Sequence, residues 1–135
     1  VRHLALQLGT EPCTTILVCL NGTVLFPPLS ESTAQGHLQR LLQSWVEGMC
    51  EPLPVGCKTA FAWLSDAGDA ALDTARETFE GGYMVTGEVA SSAALRRAYP
   101  DFDALSADGR FTLLAEQLYG PLFNHLSSAG AGSDL

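Results

Sequence analysis

Lysine is nearly missing from this chain. Lys58 stands alone beside six arginines and fifteen acidic residues, for a net charge of −8. A domain that gripped DNA or RNA unaided would need a basic stripe to neutralise phosphates. The one local cationic pair is Arg96-Arg97, so the acidic balance reads as solubility and partner selection rather than a nucleic-acid surface. No apolar run approaches the roughly 20 residues that span a bilayer, and the first residues given do not read as a charged-then-apolar signal pattern with a small-residue cleavage site. The four cysteines, Cys13, Cys19, Cys50 and Cys57, contain no C-x-x-C pair and no zinc spacing. They read as structural thiols, with Cys19 a small buried hydrophobe inside a strand. The histidines His3, His37 and His125 lie far apart in sequence, and His37 reads as a boundary residue on a helix. There is no P-loop, no G-x-G-x-x-G, no H-E-x-x-H and no G-x-S-x-G elbow. No cofactor and no metal ligand set is expected.

What is present is apolar. Hydrophobic residues make up 47% of the 135 and charged ones 16%, enough for one ordered domain with a real core. Two strand-like runs, Thr14–Leu20 and Thr23–Phe26, flank Asn21-Gly22, the strongest short hairpin signal because a type I′ turn needs φ > 0 at both central positions. That turn would set Leu20 opposite Thr23, Val18 opposite Leu25 and Leu17 opposite Phe26. The first run is apolar at almost every position, which predicts cover on both faces. Leu38, Leu41, Leu42, Trp45, Val46 and Met49 follow at helical spacing and are expected to supply one cover, with Trp45 in the core. Ser32 and Gln35 fit a capping box for a helix from about Thr33 to Glu47, with Gly48 as its stop.

Pro52 and Pro54 make an extended connector. Helices are expected over Thr59–Leu64 and Asp69–Glu80, the latter stopped by Gly81-Gly82. Tyr83–Val89 reads as a short strand or a loop. Ser91 or Ser92 is expected to cap a short helix through Leu95 to Tyr99, and Asp101–Leu105 to form a turn anchored by Phe102 and Leu105. A last helix carries Phe111, Leu114, Ala115, Leu118, Leu122 and Leu126, kinked or restarted at Gly120-Pro121. The expected organisation is a single domain over residues 1–126 and a flexible Gly/Ala/Ser tail over 127–135. Arg2–Gly9 reads as the last turns of a helix, so the sequence is expected to be a piece of something longer. The carboxylate pairs Asp101/Asp103 and Asp66/Asp69 read as helix caps or solvated turns rather than metal ligands, since Lys58 has no acidic neighbour at D/E-x-K spacing. Trp63 is undecided between core and a stacking role.

An ordered set of phrases then carries a resemblance. Val46-Glu47-Gly48-Met49-Cys50-Glu51-Pro52-Leu53-Pro54, Ala62-Trp63-Leu64, Ala75 to Gly82, Gly87-Glu88, Leu95-Arg96-Arg97-Ala98-Tyr99-Pro100 and Leu118 to Phe123 together resemble the C-terminal end of RecC, the gamma subunit of bacterial exodeoxyribonuclease V (RecBCD). The resemblance implies an α+β fold, mainly helical with a small β-hairpin. It would be the C-terminal part of a PD-(D/E)xK nuclease-like fold lacking the active site, with no catalytic residue in this chain. It implies a non-catalytic scaffold module of a bacterial, cytoplasmic helicase–nuclease that repairs double-strand breaks by recombination. RecB and RecD would be its partners, and DNA would be met through the holoenzyme, where RecC supports duplex splitting and Chi-regulated processing. Arg96, Arg97 and Tyr99 are the expected partner-interface residues, because exposed Arg and Tyr are enriched at hot spots. Two other readings stay open: an active metal-dependent nuclease fragment, and a small-molecule-binding module unrelated to DNA.

Overall fold

The computed structural model describes residues 1–20, 22–66 and 68–130. It is mainly helical with small antiparallel β elements, an α+β composition. The chain forms two compact units, one from Val1–Cys50 with the residues from His125 onward, the other from Glu51–Asn124.

In the first unit, helix α1 (Arg2–Leu6) leads to a two-stranded hairpin, β1 (Thr15–Cys19) and β2 (Gly22–Phe26), and then to α2 (Glu31–Cys50). The strands pair two residues out of the expected register. Leu17 faces Val24, Val18 faces Thr23, and Cys19 faces Gly22, so Leu20 and not Gly22 joins Asn21 between the strands. Asn21 itself, on which the type I′ turn was expected, lies outside the described residues. A shift of two keeps every side chain on its original face. It also sets Phe26 opposite Thr15, whose hydroxyl is 2.9 Å from His3 Nδ1. Phe26 meets two imidazoles, its centroid 5.5 Å from that of His3 and 4.9 Å from the stacked ring of His125. His125 Nε2 donates to the Leu25 carbonyl at 2.8 Å. Histidines far apart in sequence are thus brought to one strand residue.

Among the described residues, the expected cover over β1 is not made. Ile16 and Leu17 are exposed and Val18 is 77% exposed. Cys19, expected to be buried, is exposed for the same reason. Helix α2 is longer than expected at both ends. Ser30, not Ser32, takes the cap, its Oγ accepting from the Thr33 amide at 3.2 Å. Gly48 does not adopt a positive φ, so the helix runs on to Cys50, two residues short of Pro52. The helix is also rotated relative to its sequence pattern. It packs on α1 and buries the small side chains Ala34 and Ser44, while Leu42, Val46, Met49 and Trp45 (62%) are exposed. The expectation that Trp45 lies in the core is therefore overturned.

A polar hub that the sequence does not announce ties this unit together. Buried Gln7, at the end of α1, donates from Nε2 to the Cys13 carbonyl at 2.7 Å and accepts at Oε1 from the Leu29 amide at 3.2 Å. One side chain fastens the chain before the hairpin to the chain after it. Gln7→Ala would leave a carbonyl and an amide without partners, and is expected to lower stability by about 2 kcal/mol. Gln7→Glu should cost a similar amount, since a carboxylate cannot donate to Cys13. Urea unfolding of both variants checks this.

The second unit contains α3 (Cys57–Ser65), α4 (Asp69–Glu80), β3 (Gly81–Gly82), β4 (Val85–Thr86), α5 (Glu88–Ser91), α6 (Ala93–Ala98), α7 (Phe102–Ser106) and α8 (Arg110–Gly130). The stretch from Tyr83 to Val89 resolves into the tip of a minimal hairpin followed by a short helix. Ser92 caps α6 through the Leu95 amide and Asp101 caps α7 through the Ala104 amide, as the sequence predicts. The core joins Ala75, Phe79, Val89, Phe102, Leu105 and Phe111, with Trp63, Leu95 and Tyr99 packed against it. Trp63 meets Phe111 edge-on at 6.2 Å, which settles it as a packing residue. Phe61 meets Tyr119 and Phe123 edge-on, joining α3 to α8. Helix α8 does not restart at Pro121. It is continuous to Gly130, with Pro121 inside it and Gly120 buried; residues 131–135 of the expected tail lie outside the described residues.

Candidate interaction surfaces

The sequence candidates fall at the end of α6, where Arg96 and Arg97 occupy the last turn and Tyr99 is the C-cap. Cations there complement the helix dipole. Both guanidinium groups are exposed, and among the described residues neither has an ion-pair partner. Tyr99 is different. Its ring packs on the core and its hydroxyl donates to the Pro52 carbonyl at 2.6 Å. The proline connector is thus tied down from α6, and a second tie joins Glu51 to Arg110 at 2.6 Å. Partial burial pushes the Tyr99 phenol up from its ordinary value, with Arg110 pulling the other way and Asp108 and Glu51 adding to the rise.

The sign of the consequence follows from that direction. The donor is the neutral phenol, and its pKa is higher folded than unfolded. The stability it contributes is therefore complete below the ordinary value of about 10 and is lost as pH rises through the folded pKa. Limited proteolysis of the Glu51–Gly56 connector is expected to accelerate above about pH 10 in the parent chain. In Tyr99→Phe, which lacks the tie, cleavage should be faster at neutral pH and should not rise further from this cause.

Three of the four paired carboxylates, Asp101, Asp103 and Asp66, have structural partners. Asp101 caps α7, and Asp66 accepts from the Thr74 hydroxyl at 2.9 Å. Asp103 pairs with Arg76 at 2.6 Å, and Arg76 also reaches Glu80 at 3.5 Å. The hydrogen bond from Arg76 holds the Asp103 carboxyl below its usual range, and the same bond raises the guanidinium. Among the described residues no three His, Cys, Asp or Glu side chains come together as a metal site would require.

The side chains that sequence reasoning missed are Gln7, Glu88 and the tip of the β3–β4 hairpin. Glu88 caps α3 from thirty residues away. Its Oε1 accepts from the Lys58 amide at 3.0 Å, and its Oε2 from the Thr59 amide at 2.9 Å and the Thr59 hydroxyl at 2.7 Å. No local pattern signals such a partner.

Exposed large apolar side chains occur in two places in the first unit: Ile16, Leu17, Val18, Leu20 and Leu25 on the hairpin, and Leu42, Trp45, Val46 and Met49 on α2. Contiguous apolar patches are what interaction sites present in folded proteins, and Trp and Met are residue types enriched at such sites. No helix among the described residues is long and apolar enough to cross a membrane.

No curated protein matches the chain. A family model described as the RecC C-terminal domain matches residues 1–68, taking in α1, the hairpin, α2, the connector and α3. That match covers just over half of the 135 residues, and the chain belongs to the RecC C-terminal domain family.

Proposed function

We propose that this chain is a non-catalytic scaffold and interaction module of the RecBCD helicase–nuclease, acting in double-strand-break repair and recombination. Family membership implies association with that complex. The observation that carries the finer reading is the exposed apolar surface of the hairpin and α2, which lies within the matched residues. A hairpin apolar on both faces fits a fold continued by further structure, as in the nuclease-like domain that the family resemblance implies. The row from Leu42 to Met49 fits a contact with a partner subunit, RecB or RecD. The acidic balance and the lone lysine favour protein contact over phosphate contact, with DNA met through the holoenzyme. Arg96 and Arg97 are proposed as further partner contacts, with Tyr99 holding the connector behind them.

The test is binding of the purified chain to RecB, to RecD and to forked DNA, each separately at near-physiological salt. The expected result is binding to one protein subunit, weakened about tenfold or more by Trp45→Ala and weakened also by charge reversal at Arg96 and Arg97; unchanged affinity on charge reversal would remove that pair from the contact. Steeply salt-dependent binding to DNA alone would overturn the module reading, and divalent-metal-dependent DNA cleavage would favour a nuclease instead.

A further inference from the structure

We infer that the outer edge of β1 is a strand-addition site, which pairs main chain to main chain with an extended, uncharged segment of another protein. The inference rests on the module reading above, but on backbone groups and not on the apolar faces of the hairpin. Two residues separate Cys19 from Gly22, so these two can pair only by exchanging both ladder bonds with each other. Bonded and non-bonded pairs alternate down an antiparallel ladder. Leu17 with Val24 and Thr15 with Phe26 therefore bond inward, while Ile16, Val18, Thr23 and Leu25 turn their N–H and C=O groups outward.

The two outer edges differ. On β2, the outward Leu25 carbonyl is taken by His125, whose ring stacks on Phe26 and obstructs that edge. On β1, the outward groups of Ile16 and Val18 have no hydrogen-bond partner among the described residues, and both residues are exposed. An edge meant to stay in water is ordinarily guarded by charge, proline or a bulge, because it is a template for other strands. Here there is no such guard. The run from Cys13 to Phe26 holds no charged residue and no proline, and every residue of β1 faces one residue of β2, without a bulge.

The backbone selects the class of partner. Donors and acceptors repeating at every second residue along an edge are matched by another extended main chain, as in β-augmentation. Nucleic acid is unsuited, since the hairpin carries no cation for its phosphates. A second copy is disfavoured, because two chains of net charge −8 repel each other. What fits is a strand of a different protein, uncharged where it meets Ile16 to Val18 because a charge buried there would find no counter-charge.

The test follows amide hydrogen exchange in β1 of the full-length subunit, alone and assembled in its complex. The Ile16 and Val18 amides are expected to exchange fast in the subunit alone and to slow by about tenfold or more on assembly. Slow exchange in the subunit alone would mean that its own chain fills the edge, and overturns the inference. Fast exchange in the assembled complex overturns it too, and leaves the module reading standing. Two variants separate backbone from side chain. Val18→Pro removes an outward N–H that β2 does not use and is expected to weaken assembly about tenfold. Val18→Thr gives up apolar surface but keeps the amide, and should assemble as the parent does. The reverse order would place the contact on side chains and overturn the inference. Exchange of the Leu17 and Val24 amides, which lie in the ladder, reports whether the hairpin survives the proline; if it does not, the comparison in the parent protein decides alone. A subunit that binds no partner protein at all overturns both the inference and the module reading.

Discussion

Phe102→Ala is expected to destabilise the second unit by about 3–5 kcal/mol, the range for truncating a buried aromatic ring in a core that cannot collapse around the gap. Phe102 is the ring on which the others converge. Its centroid lies 5.5 Å from Phe111 in an edge-on arrangement and 6.2 Å from Phe79. Each such pair adds roughly 0.5–1.5 kcal/mol beyond the area buried. The guanidinium of Arg76 lies 5.1 Å from the Phe102 centroid, fixed there by Asp103 and Glu80. Removing the ring therefore opens a cavity, unpairs two aromatic contacts and leaves a cation without its platform. Phe102→Leu restores most of the volume but neither the edge-on geometry nor the π face, and is expected to cost about 1–2 kcal/mol. Trp63, packed on Phe111 in the same core, is the natural fluorescence probe. Replacing exposed Trp45 by Phe makes it the sole tryptophan, so urea titration of its emission reads this unit directly.

Where the sequence was legible, a short-range physical rule was responsible. The α4 helix runs from Asp69 to Glu80 as expected because Leu72, Ala75 and Phe79 repeat at helical spacing and a glycine with positive φ follows. The caps Ser92 and Asp101 satisfy the amides three residues ahead of them, a distance that sequence alone fixes. The hairpin was legible as an element but not in register, since Gly22 pairs with Cys19 in the ladder instead of serving as a turn residue, and the position of the loop fixes the register. The clasp of His3 and His125 on Phe26 is long-range. In α2, periodicity identified an apolar stripe without showing what the stripe faces. The helix sits on its small residues, Ala34 and Ser44, and turns Trp45 outward.

The candidate surfaces divide the same way. Arg96 and Arg97 could be placed on a helix end from the sequence, and they are exposed there. That Tyr99 is tied to Pro52, forty-seven residues away, was not legible, because a hydroxyl's partner leaves no trace in local pattern. The same holds for Gln7. Both residues fasten segments that lack regular structure, where backbone groups must find side-chain partners if they are to be buried. Glu88 does the same for the start of a helix, and its role can be isolated most cleanly.

Glu88→Ala is expected to cost about 3 kcal/mol, because one carboxylate satisfies three donors at the start of α3 and bonds to a charged acceptor are worth more than neutral ones. Thr59 is fully buried, so its amide and hydroxyl would have no water to turn to. Gly56, the N-cap, provides the second arm of the test. Its backbone is ordinary extended chain at φ −111 and ψ 144, so no conformational rule demands glycine there. What excludes a side chain is Glu88, whose carboxylate occupies the space a Cβ would take. Gly56→Ala alone should therefore destabilise by about 1–3 kcal/mol as the carboxylate is pushed off its three donors. With Glu88 already replaced by alanine the space is empty, and Gly56→Ala should become nearly neutral. The double variant should then be as stable as Glu88→Ala to within about 0.5 kcal/mol, a coupling that two independent sites would not show. Glu88→Gln gives an intermediate result. Its single acceptor oxygen can keep the two bonds to Thr59, while its amide would meet the Lys58 amide donor to donor. Urea unfolding of the four members of the cycle decides the matter: additive losses would mean that Glu88 does not hold the start of α3, and that Gly56 is glycine for some other reason.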